Sequence, residues 1–214
     1  MPIVISILNS KGGSGKSTLA TNIARALQSS GASVLIVDSD SQGTLRDWEN
    51  SGEDETMPAV VSLMNYRTLE REIRQIGEGY TFVVIDGSAK IEKLLGASIR
   101  VSDLVLIPVQ PTPPDIWGCA DLVDLVLARR EMTGGEPKSA FVISRKITGT
   151  RLASDVRGVL EEYGLPVLEN GTSQRVVYAE AFAYGTTVLD VEPRGKASLE
   201  IMGMTNEIRG LLNG

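Results

Sequence analysis

The chain of 214 residues contains no histidine and a single cysteine, Cys119. A Ser-His-Asp triad, a histidine proton shuttle and an imidazole metal site are therefore excluded. One thiol also makes neither an intrachain disulfide nor a four-thiolate zinc site, which fits a reducing compartment, with cytoplasm as the expected location. Cys119 itself reads as a small, buried or half-buried hydrophobe. Long apolar runs are missing as well. None approaches the roughly 18 residues that suggest a membrane span, and the apolar start Met1 to Asn9 lacks a basic leader and a cleavage site, so it reads as a strand and not a signal peptide. Positive charge is the minority sign, with Lys+Arg 21 against Asp+Glu 27 and a net charge of −6. A surface that binds nucleic acid all over is disfavoured, while a local basic patch stays possible.

What is present is an ordinary globular composition, 42% apolar and 22% charged, enough for a sizeable core. The length and the lack of any linker-like stretch predict one domain over 1–214. Short apolar runs at Ile3–Leu8, Ser33–Val37, Phe82–Ile85, Leu104–Val109, Ala140–Ile143 and Pro166–Leu168 read as buried parallel strands, with a short edge strand near Ala59–Val61. Helical spacing falls between them, at Thr18–Gln28, Leu69–Ile76, Ile91–Val101, Asp115–Arg130 and Ala153–Tyr163, and Leu199–Leu212 closes the chain as a helix. The alternation predicts an α/β fold, a doubly wound and mostly parallel sheet with helices on both faces.

The decisive motif is Ser10-Lys11-Gly12-Gly13-Ser14-Gly15-Lys16-Ser17-Thr18, directly after the first strand and opening the first helix. That is the context of a P-loop, in which backbone N–H groups and the helix N-terminus form an anion nest for phosphates. Lys16 is placed for the β and γ oxygens, and Ser17 for Mg²⁺. The predicted phosphate-binding set is thus Lys11, Gly12, Gly13, Ser14, Gly15, Lys16, Ser17 and Thr18. The loop departs from G-x-x-x-x-G-K-[ST], having Ser10 where glycine is usual and an additional lysine, Lys11. Phosphoryl transfer needs charge neutralisation and an oriented nucleophile. Asp86 and Asp38, at the carboxyl ends of two buried strands, are candidates to hold Mg²⁺ with Ser17.

This loop resembles that of the ParA/MinD family of dimeric P-loop ATPases. Other segments fall in step: Val34 to Gln42 resembles the family's D-x-D-P-Q switch with Ser41 in place of proline, and Thr81 to Gly87 its second nucleotide motif. Ser102 to Pro113 is similar to the next strand and proline-rich loop, and Phe141–Lys146 with Gln174–Ala181 resembles the short ParF-like partition ATPases. The likeness implies ATP and Mg²⁺ as cofactors and a slow hydrolysis of ATP to ADP and phosphate. It implies that Asp40 orients or deprotonates the attacking water, and that Lys11 crosses a dimer interface to the partner's phosphates, making Lys11, Lys16 and Asp40 the catalytic set. Adenine contacts are not assigned, since Ser144 stands where many relatives carry asparagine. Pro108, Pro111, Pro113 and Pro114 read equally as an assembly surface or, at Pro114, as a helix start.

The resemblance further implies an ATP-dependent homodimer that binds nonspecific DNA, associates with the nucleoid and distributes a cargo such as a plasmid, a chromosome or a carboxysome. A ParB-like or cargo-adaptor partner would stimulate hydrolysis. Candidate DNA contacts are Arg145, Lys146, Arg151, Arg157 and Arg175, with Arg194 and Lys196 further along. The alternative is a MinD-like membrane or protein-surface positioning ATPase. It is weakened by a C-terminal helix with one cation, Arg209, whose apolar stripe reads as core. A metabolic P-loop enzyme fits less well, because a subunit-bridging iron–sulfur cluster takes two cysteines per chain.

Overall fold

Strands such as Ile3-Val4-Ile5-Ser6-Ile7 and Phe82-Val83-Val84-Ile85-Asp86 carry apolar, mostly β-branched residues at nearly every position, so neither face can be left to water and both must be covered. The computed structural model describes residues 1–40, 42–88, 92–147 and 151–213, with the backbone alone at 151–155. In chain order it contains β1 (Ile3–Ile7), α1 (Lys16–Ser29), β2 (Val34–Asp38), α2 (Thr44–Ser51), β3 (Ala59–Ser62), α3 (Leu69–Gly77), β4 (Phe82–Asp86) and α4 (Glu92–Val101). Then follow β5 (Leu104–Val109), α5 (Pro113–Trp117), α6 (Ala120–Thr133), β6 (Lys138–Ile143), α7 (Arg151–Glu161), α8 (Val176–Ala183), α9 (Val188–Val191) and α10 (Lys196–Asn213).

The six strands form one sheet in the order β3-β2-β4-β1-β5-β6, with every pairing parallel. The period of two sorts the side chains between faces. Ile5, Ile7, Ile36, Val84 and Leu106 pack under Leu19, Ile23 and Leu27 of α1 and Ile201, Met204 and Ile208 of α10. Val4, Leu35, Val37, Val83 and Ile85 pack on the opposite face, against Leu69, Ile73 and Leu94 of α3 and α4. Val105, Ile107 and Phe141 extend that face beneath Leu122, Val123 and Val126 of α6. The doubly wound expectation holds, and β3 is the partly exposed edge strand.

Three local readings are corrected. Asp115–Arg130 is two helices, because the chain turns through Gly118 and Cys119 between α5 and α6, where the buried Cys119 thiol donates to Ile116 O at 2.9 Å. Pro166–Leu168 pairs through a single bridge, Phe141 with Val167, and forms no strand. The helix α2 was not expected from Glu49–Asn65 or the segment before it; Leu45 and Trp48, buried to 0% and 1% exposure, fasten it to the core. The closing helix starts at Lys196 and buries Ala197, Ser198, Ile201, Met204, Thr205 and Ile208, so its apolar stripe is core. Among the described residues no helix is long and apolar enough to cross a membrane.

This topology positions a site. β1 lies between β4 and β5; the chain runs from it to β2 on one side, and the later connection from β4 crosses it to β5 on the other. The crevice outside the carboxyl ends of the strands at such a switch point is where an open parallel sheet accommodates a ligand.

Candidate functional site

The loop after β1 turns back through Gly13 at φ +78° and Gly15 at φ +94°, left-handed geometry that side chains disfavour. Gly15 is also the N-cap of α1, with no side-chain cap and no acidic residue in the first turn, so the amide N–H groups there are not taken by a carboxylate. The loop is held from outside. Asn9 is 1% exposed; its Nδ2 donates to Pro108 O at 2.6 Å and its Oδ1 accepts from Lys11 N at 2.8 Å. Gln110 Nε2 donates to Gly13 O at 2.9 Å, and the Ser144 hydroxyl donates to Ser14 O at 2.8 Å. Asn9, Gln110 and Ser144 are supports that spacing along the chain did not disclose, because they reach the loop from the ends of three different strands.

Lys16 curls over this nest, its Nζ 3.1 Å from Lys11 O. Burial lowers its pKa, opposed by the charges of Asp86 and Asp40. The two strand-end carboxylates meet in register, Asp38 of β2 opposite Asp86 of β4. Burial raises the pKa of Asp86 to about 7, against the Ser17 hydroxyl, which hydrogen-bonds its carboxylate, and the Lys16 ammonium. Burial likewise raises Asp38, opposed by the backbone N–H groups of Asp40, Leu45 and Arg46. Asp38 Oδ2 and Asp86 Oδ1 are buried without a hydrogen-bond partner among the described residues. Two orphaned oxygens on paired strand ends, with the Ser17 hydroxyl on the Asp86 carboxylate, suit a hard divalent cation that keeps waters and phosphate oxygens as its remaining ligands. Among the described residues no cluster of three or more His, Cys, Asp or Glu offers an all-protein cage. Asp40 is half-buried beyond β2, with its N–H donating to Asp38 Oδ1 at 2.9 Å; the neighbouring Ser41 lies outside the described residues.

Gly12 and Gly13 are exposed at the tip of the loop, with open space where a side chain would stand. Lys11 turns away from the nest and lies along α5, where its Nζ donates to Pro114 O. Of the four prolines considered for an assembly surface, Pro108 and Pro111 are buried, while Pro113 and Pro114 are exposed at the start of α5.

A cavity of about 320 Å³ opens beside Gly15, Thr18 and Leu19, walled by Arg145 and the segment from Thr172 to Val176. Its size suits part of a small ligand. Arg145 adopts φ +53°, uncommon outside glycine, and its N–H donates to Thr172 Oγ1 at 3.1 Å. The wall is built from two loops brought together by the bridge between Lys146 and Ser173.

The cations divide. Arg145, Arg194 and Lys196 are exposed and Lys146 is half-buried. Arg157 donates to Val167 O and Leu168 O at 2.9 and 2.8 Å and pairs with Glu169 at 3.1 Å. Arg175 pairs with Glu200 at 2.9 Å. These two are committed to internal contacts, and the Arg151 side chain lies outside the described residues.

Residues 5–188 match the CbiA family, described as the CobQ/CobB/MinD/ParA nucleotide binding domain. The chain is 29% identical over 207 residues to "Maintenance of carboxysome distribution protein A" of Halothiobacillus neapolitanus, covering 95% of each. It is 27% identical over 187 residues to "Protein ParA" of Rhizobium radiobacter, covering 86% of this chain and 84% of that one. Among solved structures, the septum site-determining protein MinD complexed with Mg-ADP from Pyrococcus horikoshii superposes with a TM-score of 0.75 at 18% identity, covering 97% and 96% of the two chains.

Proposed function

The chain belongs to the CobQ/CobB/MinD/ParA nucleotide-binding family, and from that premise we propose that it is an ATP-hydrolysing positioning switch, one ATPase domain over 1–214. It dimerises on ATP, binds nonspecific DNA and distributes cargo, with hydrolysis stimulated by an adaptor protein. The observation that carries this reading is the pairing of a lysine-bearing phosphate nest with two strand-end carboxylates that each keep one orphaned, buried oxygen. The likeness to a carboxysome-distribution protein over 95% of each chain, and to ParA over 86% of this one, supports positioning over a metabolic reaction.

In this reading the amide N–H groups of 12–18 bind the phosphates, and Lys16 uncurls from Lys11 O to reach the transferring group. Ser17, Asp38 and Asp86 hold Mg²⁺, directly or through water. The ion would supply charge neutralisation at the phosphates. Asp40 receives or orients the proton of the attacking water, and Lys11 of each protomer serves the other's phosphates. The cavity between Arg145 and Arg175 takes the base and ribose. DNA phosphates are met by Arg145, Lys146, Arg194 and Lys196, the cations left accessible.

The test is binding to a nonspecific duplex with ATP, with ADP and without nucleotide, over a salt series and alongside light scattering. Binding by an ATP dimer is expected, with a log-log salt slope of about −5 if some six phosphates are engaged. A well-formed ATP dimer that ignores DNA sinks the DNA reading and leaves a membrane or protein surface as the track.

A further inference from the structure

The start of the phosphate loop is docked on α5 of its own chain. The Ser10 hydroxyl donates to Gly118 O at 2.8 Å, Lys11 Nζ donates to Pro114 O, and the same ammonium lies 3.8 Å from Asp115 Oδ1. Pro114 O also accepts from Gly118 N–H at 3.1 Å, so Lys11 is a second donor to that carbonyl, at the C-terminal end of a short helix where a cation is favoured. Gly118 has φ −72° and ψ −6°, ordinary right-handed geometry open to any residue. What excludes a larger residue there is space: a Cβ would overlap Lys11 Cε and stand 3.1 Å from its Cδ. The missing methyl leaves a groove filled by the lysine stem, with Asp115 at its charged end.

We propose that Asp115 and Gly118 are positioning residues that hold Lys11 in a resting place on its own subunit, so that ATP-driven pairing proceeds only after each lysine leaves it. The proposal rests on the reading that Lys11 acts across a dimer. The hold is weak by construction. The Lys11 and Asp115 side chains are 34% and 20% exposed, and a half-exposed pair restrains by less than about tenfold per protomer. It therefore sets a threshold for dimerisation and does not block it. Asp115 also accepts from the Thr112 hydroxyl at the start of α5, which ties the resting place of Lys11 to the proline-rich loop.

The test measures dimerisation of the full chain by sedimentation against protein concentration, with Mg²⁺ and a non-hydrolysable ATP analogue. Gly118→Ala suits the right-handed backbone and evicts the flexible lysine stem, with its Cβ also 3.1 Å from Pro114 O; Asp115→Asn removes the charge. Both are expected to dimerise at a concentration at least threefold below the wild type. Asp115→Glu is expected to restore the wild-type threshold, which general loosening of α5 does not predict. A wild type that dimerises at the same threshold as Gly118→Ala overturns the proposal alone. If both stay monomeric, the dimer reading falls and the proposal with it.

Discussion

A lysine 7% exposed, as Lys16 is, is costly to keep charged unless an anion meets it, and in this fold its nearest acceptor is a backbone carbonyl of its own loop. Lys16→Ala is therefore expected to abolish ATP binding in calorimetry while leaving the thermal midpoint of the nucleotide-free protein unchanged within a few degrees. Asp40 sits differently, on the loop beyond β2 and held through its N–H to Asp38. Asp40→Ala is expected to retain ATP, lower hydrolysis by 10²-fold or more in a phosphate-release assay, and trap the dimer; rapid turnover by this variant would remove the role assigned to Asp40. The loop residues were legible in the sequence because a phosphate nest needs consecutive amides, glycines and a lysine in one short run. The supports Asn9, Gln110 and Ser144 were not, since Ser144 meets Ser14 across 130 positions. Nor was the fate of Arg157 and Arg175: whether a cation faces water or an internal carboxylate depends on neighbours that only folding brings together.

At the level of elements, hydrophobic periodicity was a good guide where one helix or strand has one environment. It failed where backbone detail decides. The pattern of Asp115–Arg130 runs smoothly across Gly118, yet the helix breaks there and α5 becomes a separate piece carrying the resting place of Lys11. Strands β1, β2, β4 and β5 were read almost to the residue because both their faces are buried. The C-terminal helix α10 was expected to pack on the core, and Ile201 at 0% exposure makes the consequence measurable. Ile201→Ala is expected to cost about 3 kcal/mol and to lower the thermal midpoint by roughly 10 °C with nucleotide affinity retained. A membrane-seated α10 predicts instead little change in stability and a loss of liposome binding.

Across the whole molecule, Glu200 joins pieces distant in sequence. Its carboxylate accepts from Ser173 Oγ at 2.7 Å, Arg175 Nη2 at 2.9 Å and Tyr178 OH at 3.0 Å. Burial pushes its pKa up, but the hydrogen bonds from Arg175, Ser173 and Tyr178 prevail and hold it below 4.5. A carboxyl depressed in the folded state binds fewer protons there than when unfolded, so its contribution is present above about 4.5 and is lost as pH falls through the folded-state value. Glu200→Gln is expected to lower the thermal midpoint by several degrees at pH 7, with the gap to wild type narrowing as pH falls below 4.5; a gap constant with pH would assign the loss to packing. The strand order has one more consequence, in the time of synthesis. The central strand β1 is bordered only by β4 and β5, and the first of these ends at Asp86. At about 5–20 residues per second, the growing chain must carry the five residues of β1 without a neighbour for roughly 4–16 s. Over that interval β1 has neither of its sheet neighbours, so the centre of the sheet closes around it only once the chain has been made past Asp86.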